Sequence, residues 1–174
     1  ISRFILIKRS QSIFACSNFT IKKTEEIFKE KIVNAQCIWP GTDTNEVPKK
    51  TNKRNSDTFN ILILGRIVDQ LKGHVLLLDS LKQLIIEFKH LRLIIVGEGE
   101  YKKSLELLVK KNKLENFVTF KGFVEENELD KIWSRTDLFV MPSKTEGFGL
   151  VYVEAMRQGI PVICSNQDAG CEIN

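Results

Sequence analysis

Apolar positions fall into two regimes along the chain, separated by a polar stretch. In the first, Ser12–Cys16 reads as a short strand, residues 20–33 carry Ile21, Ile27, Phe28 and Ile32 at helix-like spacing, and Gln36–Trp39 reads as another short strand. Residues 1–9 hold an apolar run too short for periodicity to separate a strand from a helix end. From Pro40 to Thr58 apolar side chains nearly vanish, which predicts a linker. Beyond it the pattern becomes regular. Phe59–Leu64 is a continuous apolar run, as in a strand buried on both faces. Residues 75–89 then carry Leu77, Leu81, Leu84 and Phe88 on one helical stripe. Strands are predicted at 91–96, 117–120, 138–141 and 161–164, and helices at 101–112, 126–134 and 150–158.

Five strands alternating with four helices predict an α/β unit: a Rossmann-like parallel sheet wrapped by helices on both faces. Right-handed crossovers place every strand-to-helix loop at the same edge, where such folds bind ligands.

Composition narrows the function classes. The chain has 174 residues, 43% hydrophobic and 28% charged, enough for one core plus a piece of another domain. Ile1 stands where a Met is expected and Asn174 follows closely on a strand and turn, so a piece of a longer protein is expected. The net charge of +4 is dispersed in pairs such as Lys22-Lys23 and Lys110-Lys111, without the basic, aromatic-interleaved stripe of a nucleic-acid binder. No apolar run approaches the roughly 18 residues of a membrane span, and Arg3 to Arg9 lacks the layout of a signal peptide. The four cysteines, Cys16, Cys37, Cys164 and Cys171, form no Cys-x-x-Cys pair, which suits a reduced, cytoplasmic chain. With only His74 and His90, neither a histidine metal site nor a Ser-His-Asp triad is favoured.

Candidate chemistry lies in the loops at the ligand edge. Gly65-Arg66 follows the first long strand and Lys72-Gly73 precedes the first helix after the linker. Two cations, glycines and free helix N–H groups suit a diphosphate, although solvated side chains are an equal alternative. A P-loop is absent, and Gly97-Glu98-Gly99 has Lys102 where a dinucleotide fingerprint needs its third glycine, so a tight turn is the better reading. In Pro142–Met156, Glu146 lies at the C-terminal end of a strand and Gly147 and Gly149 open the next helix. Eight positions after Glu146 comes Glu154, inside an otherwise apolar helix. A carboxylate there needs a partner, either a basic side chain or the hydroxyls of a ligand.

This segment resembles the retaining glycosyltransferases of the GT-B fold, family 4. The Glu, seven residues, Glu motif is Glu146 to Glu154, set within Pro-Ser-x-x-Glu-Gly-Phe-Gly-Leu and Glu-Ala-Met-x-x-Gly-x-Pro-Val. Gly65-Arg66 with Lys72-Gly73, Val96–Gly99, Phe120–Val124 and Asp137–Ser143 follow the family order, and the likeness covers about residues 12–171. It implies residues 1–39 as the end of an N-terminal acceptor domain, with a helix tail over 1–9. Residues 40–58 become the interdomain linker, with a hinge at Ile38–Asp43, and 59–174 a nucleotide-sugar-binding domain.

By motif match the resemblance implies that Arg66 and Lys72 grip the donor diphosphate and that Glu146 bonds the transferred sugar beside Gly147, Phe148, Gly149 and Leu150. Glu154 would accept from the ribose, with Gly65 in the phosphate loop and Gly122, Phe123 and Val124 flanking the base. It also implies a donor that is a UDP- or GDP-linked sugar, a glycan or lipid-linked acceptor, no bound metal or other cofactor, and no nucleic-acid partner. Peripheral association with the cytoplasmic membrane face, through an N-terminal domain, is a further implication. A nucleotide-sugar-binding module without transfer activity, or a GT-B-fold epimerase or phosphorylase, are the alternatives. One departure stands out: the family's Gly-Gly-x-x-Glu loop reads Ala169-Gly170-Cys171-Glu172, with Cys171 at the second glycine position.

Overall fold

The computed structural model describes residue 7 and residues 9–41, 57–68 and 71–173. Most of the linker and the first six residues, including their part of the expected helix tail and hinge, lie outside the described residues. A small first module is built from β1 (Ile13–Ala15), α1 (Asn18–Phe28) and β2 (Ala35–Cys37), with the two strands parallel. The helix begins where Ser17 accepts a hydrogen bond from Thr20 N and stops at Lys29, in the left-handed conformation with φ 52°. That stop shortens the expected 20–33 helix: Ile32 and Val33 fall outside it, and Val33 is 94% exposed.

The second module has β3 (Phe59–Leu64), α2 (His74–Glu87), β4 (Leu91–Val96), α3 (Lys102–Lys111), β5 (Val118–Gly122), α4 (Glu126–Arg135), β6 (Leu138–Met141), α5 (Leu150–Arg157) and β7 (Val162–Cys164), closed by a 3-10 turn at Ala169–Glu172. The strand order is β5-β4-β3-β6-β7 and every pairing is parallel. The chain therefore winds outward from β3 to β5, crosses back, and winds the other way through β6 and β7. Right-handed crossovers in two opposite directions place helices on both faces, as predicted. The reversal between β3 and β6 opens a crevice at the carboxyl ends of those two strands.

The core confirms why β3 is uninterrupted by polar residues at its centre: Ile61, Leu62 and Ile63 are all buried, against Leu93 and Ile95 of β4. On one side Phe139 of β6 packs against Trp133 of α4, ring centroids 5.6 Å apart, and edge-on to Tyr152 of α5 at 6.0 Å. The predicted stripe on α2 needs correction. His74, Leu77, Leu78 and Leu81 are buried, but Leu84 and Phe88 are 43% and 40% exposed. In the last turn Ile85 takes the place on the core.

Candidate functional site

Two loops meet in the crevice because glycines let them. Gly73 caps α2 in the left-handed region, φ 80°, and a Cβ there would strike the Pro142 backbone. Beside it, Lys144 N donates to Leu71 O at 2.7 Å. The loop after β3 is thereby fastened alongside the loop after β6, and Lys72 forms an ion pair with Glu146, their side chains 21% and 16% exposed. Arg66 stands out from the same loop, exposed, and its guanidinium makes no hydrogen bond or ion pair among the described residues.

The next helix starts bare. Gly149 precedes α5 with φ 87° and no side chain caps it; a Cβ at this position would collide with the Tyr152 ring. The Tyr152 hydroxyl in turn donates to Met141 O at 2.8 Å, tying α5 to the end of β6. Burial pushes the Tyr152 phenol well above its ordinary pKa, so it stays a neutral donor. Glu154 lies one turn into α5, half-buried. Its carboxylate accepts no hydrogen bond among the described residues. Desolvation raises its pKa, and the positive charge of Arg157, three residues on, only partly offsets this. Of the two readings left open for Glu154, a close ion pair is not formed among the described residues.

Together these residues enclose a cavity of about 510 Å³, within the range of small-ligand sites. Gly65, Arg66, Lys72, Glu146, Phe148, Gly149, Leu150 and Glu154 line it, with Leu64, Met141 and Val151 as its apolar floor. The structure thus gathers residues from 65 to 154 that share no local pattern. Gly147 is not on that wall; its carbonyl faces α1 and accepts from Ser17 Oγ at 2.6 Å. Nor are Gly122, Phe123 and Val124, which lie at the end of β5, two strands from β3; Phe123 is 73% exposed.

Sequence reasoning missed Cys16 and Pro40, which bring the first module to the cavity wall. No local pattern marks them, since their place depends on how the modules dock. That docking is polar. The Glu172 carboxylate accepts from Asn18 N at 3.0 Å and from Phe19 N, filling the open N-terminus of α1. In the departing loop it is Gly170 that meets close approach, a Cβ there lying 2.7 Å from the Tyr152 ring, while Cys171 is exposed. Asp168 beneath the site is fully buried, its Oδ1 accepting from Gly170 N at 2.8 Å; desolvation raises its pKa. Among the described residues no group of three or more His, Cys, Asp or Glu side chains is arranged to hold a metal ion, and no helix is long and apolar enough to cross a membrane.

Comparison with known proteins places this arrangement. Residues 43–174 match the family model described as glycosyl transferases group 1. An uncharacterized glycosyltransferase of Methanocaldococcus jannaschii is 32% identical over 174 residues, covering 97% of this chain and 43% of its own length. An O-antigen biosynthesis glycosyltransferase of Escherichia coli is 36% identical over 137 residues, 74% of this chain and 36% of that protein. The chain thus spans less than half the length of these relatives. Among solved structures, Anabaena HepE in complex with UDP-glucose superposes with a TM-score of 0.77 at 25% identity, over 98% of this chain and 49% of that one. With a cavity at the strand reversal, an opposed lysine and glutamate on its walls, and a family match over more than half its residues, the chain belongs to the glycosyl transferases group 1 family.

Proposed function

We propose that the chain carries the donor site of a retaining glycosyltransferase, one that moves a hexose from a nucleoside diphosphate sugar to a glycan, lipid-linked or similar acceptor. The observation that carries this reading is the shared cavity in which Arg66 and Lys72 face Glu146 and Glu154. Lys72 is neutralised by Glu146 across the cavity. An arriving diphosphate competes for the ammonium, and the freed Glu146 carboxylate turns to the hydroxyls of the sugar. Arg66, without a partner among the described residues, adds a fork of donors for phosphate oxygens. Both cations are worth more as the bond from the sugar's anomeric carbon to phosphate breaks, because the electron pair and the charge move onto the leaving phosphate. Retention follows if the acceptor oxygen enters on the face the phosphate leaves, handing its proton to a phosphate oxygen. Glu154 accepts from the ribose hydroxyls, which supply the partner its carboxylate lacks among the described residues. No resident metal or cofactor enters this scheme. Gly122–Val124 flank the base at the far end of the site, across β4. Uracil is the favoured base, since the HepE structure that this chain resembles holds UDP-glucose.

In this reading residues 1–39 end an acceptor-binding domain, 40–58 link it to residues 59–174, and the acceptor is held largely by groups outside this chain. Titration calorimetry with UDP- and GDP-sugars tests the donor site. Binding of a nucleotide sugar, abolished by Lys72→Ala, is expected; no binding at millimolar concentrations overturns the reading. Binding without transfer in the full-length protein would instead favour a nucleotide-sugar-binding module.

A further inference from the structure

The Gly147 carbonyl turns away from the cavity and into the first module. Ser17 Oγ donates to it at 2.6 Å, with longer contacts from Thr20 Oγ1 at 3.1 Å and the Cys16 thiol at 3.1 Å. Ser17 is fully buried, and its hydroxyl is used in both senses, for it also accepts from Thr20 N at 3.0 Å as the N-cap of α1. A Cβ on Gly147 would lie at ordinary contact distance, 3.4 Å, from Cys16 Sγ. A peptide unit is planar and trans, so the oxygen of residue 147 and the N–H of residue 148 point to opposite sides of one plate. Holding the Gly147 oxygen against Ser17 therefore turns the Phe148 N–H away from α1. Neither Phe148 N–H nor Gly149 N–H donates to any group among the described residues, and both residues line the cavity.

We propose that Ser17 is a positioning residue for donor binding: by gripping the Gly147 carbonyl across the module boundary, it presents the Phe148 and Gly149 N–H groups to the donor's sugar and phosphate oxygens. The inference rests on the donor-site reading. It gives the first module a part in the donor site that does not depend on the acceptor. The Glu172 carboxylate, bonded to Asn18 N at 3.0 Å, keeps the start of α1 in place for this contact.

Helix capping and carbonyl holding can be separated. Glycine serves as an N-cap nearly as well as serine, but it has no hydroxyl to donate. Calorimetry of the full chain with UDP-glucose and with UDP compares wild type, Ser17→Gly and Ser17→Thr. Ser17→Gly is expected to weaken UDP-glucose binding about tenfold, the worth of one or two hydrogen bonds. Ser17→Thr, which keeps the hydroxyl, should stay near wild type. In the unliganded chain, the Phe148 and Gly149 amide resonances should move in Ser17→Gly and hold their places in Ser17→Thr. Wild-type affinity of a folded Ser17→Gly variant, or unmoved amides, overturns the proposal. Failure of the donor-site reading looks different: wild type then binds neither nucleotide, while the two amides still respond to the loss of the hydroxyl.

Discussion

Lys72 and Glu146, 74 positions apart in the chain, neutralise each other across the crevice between the loops that follow β3 and β6. The pair lies at the point where the strand order reverses, so each residue reaches it from a different βα unit. Removing either member leaves an opposite charge partly buried, and removes a group of the proposed donor site. Lys72→Ala and Glu146→Ala are each expected to lower turnover of the full-length protein at least about tenfold, equivalent to ~1.4 kcal/mol of barrier. Steady-state kinetics with the cognate donor checks this, and wild-type turnover would mean the roles are misassigned.

Gly149→Ala should destabilise the fold and the site together. Its φ of 87° disfavours any side chain, and the added Cβ would drive into Tyr152, whose hydroxyl holds Met141 O at 2.8 Å. A loss of about 1–3 kcal/mol in urea unfolding is expected, with a weaker donor affinity in whatever remains folded.

Glu154 makes the site sensitive to pH. Burial raises its pKa in the folded chain, so folding favours the protonated form. Its contribution to stability is fully present below the ordinary carboxylate range and is lost as pH rises through the raised value. Asp168, raised by burial as well, has the same sign. Glu154→Gln is expected to flatten part of this slope, leaving that of Asp168, when unfolding is followed from acid to neutral pH. Donor binding should run oppositely in wild type: the ionised Glu154 is the better acceptor for ribose hydroxyls, so affinity rises over the same interval and loses that dependence in the variant.

Glu172→Ala should loosen the first module without unfolding the second. The carboxylate satisfies the N–H groups of Asn18 and Phe19 at the positive end of α1. Its loss is expected to cost about 1–2 kcal/mol of docking, seen as faster hydrogen exchange at those two amides, while exchange in the buried β3 strand stays unchanged.

Much of this was written in the chain in readable form. The apolar run within Phe59–Leu64 is what a strand buried on both faces shows, and its alternation with helical segments points to a parallel sheet. Glu146 and Glu154, with the glycines between, were legible because one strand-loop-helix unit carries them. Their relation to Arg66 and Lys72 was inferred only through resemblance to a family. The end of α1 at Lys29 and the exposure of Leu84 were missed for one reason: periodicity reports which residues share a face, not how much core lies opposite that face.

By itself, then, the sequence determined the order and type of the elements of the second module and the identity of the charged groups in its loops, because hydrophobic period and glycine placement act within a few residues. Only the tertiary structure decided that Lys72 meets Glu146, that Glu154 lies half-buried without a close ion partner among the described residues, and that Ser17 reaches Gly147 from the other module. The two contacts join residues 74 and 130 positions apart. They depend on the reversal of strand order, on close approach at Gly73 and on the docking of the first module, which no local pattern encodes.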